Sequence, residues 1–278
     1  MSTAPAASAT TAGVEPGASV RTAEAAAPAD AAVAELAATA AAGALSATAW
    51  LAVVERAIAA LPEPRYLLLA GSPVAIAPEL LKACAATAAK TIAVDAGAKL
   101  AQTAGLQVDE LVGDMDSVSP ALRTALAAGG VEVFAVSAHK DQTDLELAFA
   151  RVVDKGAASV LLLGALGGRL DHELAALGAC AAVCDKTKLL LVADEALVWL
   201  QGAGSSVEVG RYLQNGQLFS TIALSDDAVV SEEGSEWELD GVPLRTLDPC
   251  GVSNTVQSAG ARVSVISGVV AVIAPRGM

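Results

Sequence analysis

Four short segments of this chain hold the residues best able to do chemistry: V-D-A-G-A at 94–98, G-D-M-D-S at 113–117, K-D-Q-T-D at 140–144 and G-G-R-L-D-H at 167–172. They supply Asp95, Asp114, Asp116 and Asp144, the cations Lys140 and Arg169, and Gln142, Asp171, Gly167 and Gly168. Carboxylates are hard oxygen donors of the kind Mg²⁺ selects, an ion that keeps several waters and binds few carboxylates plus substrate phosphates. Lys140 and Arg169 suit phosphate oxygens, the guanidinium by a two-pronged fork. Adjacent glycines let backbone N–H groups approach a phosphate closely. Metal-assisted phosphate transfer is the chemistry that suits this set. Each piece also has an ordinary explanation: D-x-D is frequent in turns, where Asp bonds its own backbone, and Asp144 suits the first turn of a helix.

The elements that carry these segments weigh against coincidence. Short apolar runs at 66–71, 91–95, 110–114, 131–136, 159–164 and 188–194 are nearly continuous and bounded by Gly or Asp, the pattern of parallel strands buried on both faces. Helical signals lie between them. Ser119-Pro120 is an N-cap followed by proline at the first helical position. Thr143-x-x-Glu146 is a capping box, with Leu145, Ala148, Phe149 and Val152 following on one face. The alternation predicts a doubly wound, mostly parallel, Rossmann-like α/β domain. In such sheets ligands bind beyond the carboxyl ends of the strands, and four successive strand ends here deliver carboxylates. Gly113 permits the bend that Asp114 and Asp116 need to face one ion; which of the two touches it is open.

After residue 201 helical periodicity gives way to short apolar segments separated by Asn215-Gly216, Asp226-Asp227, Asp240-Gly241, Gly260 and Ser267-Gly268. These are hairpin signals and predict a small antiparallel β-sandwich or barrel. The domain reading is an Ala-rich disordered tail over 1–45, an α/β domain over 46–200 beginning with a helix near 46–61, and a β-sandwich over 201–278.

Composition removes other classes. A formal charge of −14 over 278 residues argues against nucleic-acid binding, which needs clustered Lys and Arg. Residues 36–54 are uncharged but made mostly of small residues and flanked by acids, so no membrane span is read there. Few basic residues precede position 56, which argues against a signal peptide. Cys84, Cys180, Cys184 and Cys250 show no C-x-x-C pair and read as reduced core thiols of a cytoplasmic protein.

The ordered motifs resemble those of the thiamine pyrophosphokinase family. V-D-A-G-A-K-L resembles its D-G-[GA] segment, G-D-M-D-S its G-D-x-D-S segment, and K-D-Q-T-D-L-E-L-A its D-x-T-D-x-x-x-A segment. G-G-R-L-D-H matches its G-G-R-x-D-H motif. Beyond residue 201, E-G-S-E-W-E-L resembles G-L-x-W-x-L, and G-V-S-N-T resembles the segment containing S-N-E. The resemblance implies a homodimer of α/β and β-sandwich parts that moves the pyrophosphoryl group of ATP to the hydroxyethyl oxygen of thiamine. It implies that Asp95, Asp114, Asp116 and Asp144 form the Mg²⁺ and diphosphate site. It adds Lys140, Gln142, Gly167, Gly168, Arg169 and Asp171 on the ATP side. Trp237, Ser253 and Asn254 would meet thiamine between subunits, the indole stacking on its ring. Two departures stand out: Ala96 replaces a common glycine, and Thr255 replaces the acid often found after Ser-Asn.

Rival readings are a diphosphokinase of similar fold acting on a 6-hydroxymethyl pterin, which would share the α/β residues, and a non-catalytic nucleotide-binding regulator. D-x-D-x-V at 114–118 also fits a haloacid-dehalogenase-like phosphatase nucleophile. That family places it at the first strand, whereas two strands precede it here. There is no G-x-x-x-x-G-K-[ST] P-loop.

Overall fold

A computed structural model describes residues 45–137 and 141–277. Lys140 and His139, and the expected tail except for Leu45, lie outside the described residues. The first helix, α1 (Ala47–Ala59), starts where Ser46 Oγ accepts the Ala49 N–H, and it buries Trp50, Val53, Val54, Ala57 and Ile58. Six parallel strands follow: β1 (Arg65–Leu69), β2 (Lys90–Val94), β3 (Glu110–Gly113), β4 (Glu132–Ala135), β5 (Ser159–Leu163) and β6 (Lys188–Val192). Five helices connect them: α2 (Pro78–Thr87), α3 (Gly97–Ala104), α4 (Pro120–Ala128), α5 (Asp144–Asp154) and α6 (Leu170–Ala181). The mostly parallel α/β half is therefore present as expected from the sequence. The capping box forms in full, with the Thr143 N–H donating to Glu146 Oε2 at 2.7 Å and the Glu146 N–H to Thr143 Oγ1 at 3.2 Å.

Strand β4 departs from the expected burial. Its residues are largely exposed because it is the last strand of the sheet, with one neighbour only. Arg151 of α5 shields it, lying 4.2 Å over the Phe134 ring.

The remaining strands are β7 (Ala196–Gly202), β8 (Ser206–Val207), β9 (Leu218–Ala223), β10 (Ala228–Glu233), β11 (Leu239–Leu244), β12 (Asn254–Thr255), β13 (Arg262–Ser267) and β14 (Val269–Pro275). Strand β7 crosses residue 200 and pairs antiparallel with β6, so one ten-stranded sheet runs in the order β12-β9-β14-β7-β6-β5-β1-β2-β3-β4. A second sheet, β11-β10-β13-β8, completes the antiparallel sandwich. Val207, Val230, Val263 and Val265 from it join Phe219, Ala223, Val270 and Val272 of the large sheet in one core. Asp240-Gly241 is no hairpin turn. It lies inside β11, where the pairing with β10 shifts register, and Gly241 has φ 59°; Asp-Gly serves a β-bulge as readily as a turn.

Three of the four cysteines are buried as expected, but Cys250 is exposed in the short turn Pro249–Gly251. No helix among the described residues is long and apolar enough to cross a membrane.

Candidate functional site

Strand β1 sits between β5 on one side and β2 on the other, so the chain order reverses direction there. That reversal opens a crevice beyond the carboxyl ends. A cavity of about 610 Å³ occupies it, lined by the loops after β1, β2, β3 and β5 and by the first turns of α5 and α6. It contains Asp95, Asp116, Asp144, Gly168 and Arg169 of the expected set.

Asp95, Asp114 and Asp144 each bring one carboxylate oxygen to within 4.8 Å of the others. Two local features make this possible. Gly113 has φ 149°, and a Cβ placed on it would stand 3.1 Å from Asp95 Cβ and 3.4 Å from Asp144 Cγ. Asp95 itself has φ 46°, while Ala96 is right-handed at φ −57°, so the replaced glycine position carries no strain. Gly97 cannot be replaced, because a Cβ there would fall 1.7 Å from the Leu69 carbonyl oxygen.

The D-x-D pair divides. Met115 takes φ 68°, which turns Asp114 toward Asp95 and Asp144 and leaves Asp116 on the cavity wall outside that trio. The Asp116 N–H closes the turn onto Asp114 Oδ1 at 3.0 Å. Asp95 is the most constrained member. Ser117 Oγ donates to its Oδ2, while its Oδ1 is buried without a hydrogen-bond partner. Burial pushes the Asp95 carboxyl above its ordinary range, and Asp116, Asp144 and Asp114 add repulsion, against the Ser117 hydrogen bond that pulls the other way. A divalent cation fits this set. Three hard oxygen donors converge, and one buried oxygen has no partner.

The glycine loop is arranged differently from the expectation. The Gly168 N–H already donates to Glu173 Oε1 at 2.6 Å. Gly167, at φ 81°, packs on Val74. Arg169 forks onto Asp171 through Nε at 3.1 Å and Nη2 at 2.6 Å, holding the Asp171 carboxyl down at about 2. Gln142 is exposed and is not part of the cavity lining.

Sequence reading missed three contributors: Gly71-Ser72 after β1, Ser117 and Glu173. Ser72 laces β1 to β5, its N–H donating to the Gly164 carbonyl and its Oγ to that of Gly167. The available signal was Gly-Ser-Pro at the end of the first strand, the same position that drew attention to the other strand ends.

In the β half, Trp237 is 58% exposed, and Ser253, the residue before Asn254, is exposed with φ 61°. Neither lines the α/β cavity. Asn254 is buried, and its amide is bonded to Trp237, Thr255 and Glu232.

Fold and site together define an α/β protein with a cation-ready carboxylate cluster at its switch point and an antiparallel sandwich continuing the same sheet. Residues 81–193 match the model of the thiamin pyrophosphokinase catalytic domain. Thiamine pyrophosphokinase 3 of rice is 24% identical over 167 residues, covering 57% of this chain and 62% of the rice protein. Thiamine pyrophosphokinase of Bacillus subtilis is 35% identical over 83 residues, covering 30% of this chain and 39% of that protein. Matches to the curated relatives thus span under two thirds of their length. The solved B. subtilis thiamine pyrophosphokinase superposes with a TM-score of 0.65 at 24% identity, covering 77% of this chain and 100% of the other. The Candida albicans thiamin pyrophosphokinase gives 0.64 at 14% identity, covering 76% and 88%. The family model and the curated relatives point to the thiamine pyrophosphokinase family, and the solved structures share the fold.

Proposed function

We propose that this protein is a thiamine pyrophosphokinase, an enzyme that transfers the pyrophosphoryl group of ATP to the hydroxyethyl oxygen of thiamine and releases AMP. The observation that carries the reading is the convergence of the Asp95, Asp114 and Asp144 carboxylates at the switch-point cavity, which Asp95 and Asp144 line, inside the region that matches the family model. The family matches favour thiamine over a pterin alcohol, and an intact carboxylate cluster argues against a non-catalytic regulator.

Asp95, Asp114 and Asp144 would hold Mg²⁺, with Asp116 on the wall beside them. When bound, the ion supplies positive charge against the phosphate oxygens. The chain's own residues then do the positioning on which phosphoryl transfer depends. Arg169, carried at the start of α6, retains N–H groups beyond those on Asp171 for phosphate oxygens. Lys140, which lies outside the described residues, would add a second cation, with Gln142 and Asp171 at the rim and Gly167 and Gly168 near the diphosphate. The Gly168 N–H is available to phosphate once Glu173 releases it.

The α/β half over 46–200 would take the nucleotide, and the β half over 201–278 would take thiamine and form the homodimer. Two features support a shared site: Trp237 and Ser253 stand apart from the cavity of their own chain, and Trp237, Leu247, Val252 and Ile266 expose apolar surface on the β half. A cytoplasmic location goes with this reading, and four unpaired cysteines support it.

Incubation with ATP, Mg²⁺ and either thiamine or a hydroxymethyl pterin tests the reading. Thiamine diphosphate and AMP are expected in equal amounts. Consumption of the pterin with no thiamine diphosphate formed would reject it.

A further inference from the structure

Trp237 presents an unusual combination: an exposed indole on a tightly held backbone. Its ring makes no hydrogen bond or ring contact among the described residues, and the residue is 58% exposed. Its backbone, by contrast, is gripped at both ends by a single amide. The Trp237 N–H donates to Asn254 Oδ1 at 3.1 Å, and the Trp237 carbonyl accepts from Asn254 Nδ2 at 2.8 Å. Asn254 Oδ1 also accepts the Thr255 N–H at 2.9 Å, and Nδ2 also donates to Glu232 Oε2 at 2.6 Å.

An asparagine amide has two donors and two acceptor lone pairs. All four are in use inside the protein, so Asn254 has nothing left to offer a substrate. Glu232 is the anchor behind it. It lies 1% exposed on β10, in the four-stranded sheet, while Asn254 is on β12, in the ten-stranded one. The contact therefore ties the two layers of the sandwich together directly beneath Trp237.

A buried carboxylate is a costly choice for that task. An apolar residue of similar size usually packs there at lower free energy, and ionic or polar groups kept in such places are retained for specificity of arrangement in the best-attested cases. Glu232 Oε1 and Thr221 Oγ1 are both buried without a well-formed hydrogen bond. Burial raises the Glu232 carboxyl, with Thr221 and Asn254 opposing. The turn is braced on its other side as well. Thr255 Oγ1 donates to Glu236 Oε2 at 2.8 Å, and the Glu236 N–H donates to the Thr255 carbonyl at 3.0 Å. Thr255, the residue departing from the family's acid, is thus employed within the chain.

We propose that Glu232 and Asn254 are positioning residues: through the backbone of Trp237 they fix the plane that the indole offers to the thiamine ring, and neither touches substrate. The proposal rests on the thiamine reading for its functional consequence, but the positioning itself can be measured without thiamine.

The full chain labelled with 5-fluorotryptophan gives that measurement, because Trp50 and Trp199 are buried and Trp237 is exposed. Its ¹⁹F resonance is assigned by its loss in Trp237→Phe. In Asn254→Asp and Glu232→Leu the Trp237 line is expected to shift or broaden while the other two stay. The KM for thiamine should rise about tenfold with the KM for ATP and kcat within about twofold. Glu232→Gln keeps an oxygen for Asn254 and should restore both readouts toward the unmodified chain. An unchanged Trp237 line and thiamine KM in either folded variant overturns the proposal. If neither variant folds, amide exchange in the unmodified chain decides: the Trp237 N–H should exchange slowly, and exchange at the rate of an open loop overturns it. Unchanged thiamine KM in Trp237→Ala would instead sink the thiamine role of Trp237, with the resonance and exchange data still judging the positioning.

Discussion

Gly113 and Asp95 lie so close that another carbon would crowd them: a Cβ on the glycine would stand 3.1 Å from Asp95 Cβ, and the glycine's φ is 149°. The carboxylate cluster therefore depends on a residue that offers it no ligand. Gly113→Ala must either strain this backbone, at about 1–3 kcal/mol, or push Asp95 and Asp144 apart. Thermal unfolding should show a modest loss of stability. Turnover should fall by roughly 10- to 100-fold, the scale seen when residues that orient metal ligands are changed. Full activity in a destabilised protein would detach the close approach from the site.

The cluster also sets a trade between stability and cation binding. Asp95 has its carboxyl raised by burial first and by three neighbouring aspartates second. A raised carboxyl binds its proton more tightly in the folded state, so its contribution to stability declines as pH climbs from the unfolded value through the folded one. At neutral pH the cation-free protein therefore bears an unrelieved cost. Asp95→Asn should raise the melting temperature of the cation-free protein. Mg²⁺ should stabilise the unmodified chain by about 2.7 kcal/mol at a hundredfold excess over Kd, a rise of roughly 5–10 °C. It should leave Asp95→Asn unmoved. Equal Mg²⁺ response in both would place the cation elsewhere.

Asp114 and Asp116 are separable by the same measurement. Only Asp114 joins the trio, while Asp116 lines the cavity wall. Asp114→Asn should lose both turnover and the Mg²⁺-dependent rise in melting temperature. Asp116→Asn should lose turnover with the fold intact and keep most of that rise. Retained activity in Asp116→Asn would reduce Asp116 to a turn residue.

Much of this was legible in the chain and some was not, for reasons that lie in particular residues. Five of the six parallel strands announce themselves because strands buried on both faces must be short apolar runs, with ends marked by the Gly and Asp residues that turn the chain; β4, exposed at the sheet edge, carries an apolar run that its burial does not match. The continuation of the sheet through β7 was not legible. Its central run L-V-W-L is as continuously apolar as β6, and periodicity does not distinguish a parallel from an antiparallel neighbour. The division of Asp114 from Asp116 turns on the φ of 68° at Met115, a conformation that methionine does not advertise. Asp240-Gly241 was ambiguous by nature, since the same dipeptide serves hairpin and bulge. Asn254 was found by motif, but its task depends on Glu232, a residue 22 positions away that carries no motif.

The opposite end of the sheet yields a prediction about acid stability. Glu110 on β3 is 2% exposed and accepts from Lys155 Nζ and from Arg151 Nη2, the latter at 2.7 Å. Burial raises this carboxyl, but Lys155 and Arg151 outweigh it, and its net position is below the ordinary range. A depressed carboxyl contributes stability that is present above its unfolded pKa and is lost as pH falls through the folded one. Acidification below about 4.5, the ordinary glutamate value, should therefore erode the fold. Glu110→Gln should cost about 3 kcal/mol at neutral pH. That is the low end for breaking a buried ion pair, since Arg151 and Lys155 both reach solvent and Arg151 keeps Glu132 at 3.1 Å. The melting temperature should drop by roughly 6–12 °C, and the remaining stability should fall less steeply with acid than in the unmodified chain. Denaturant titrations across pH 3–7 read both quantities. Parallel acid profiles for the two proteins would show that Glu110 takes no part in the acid transition.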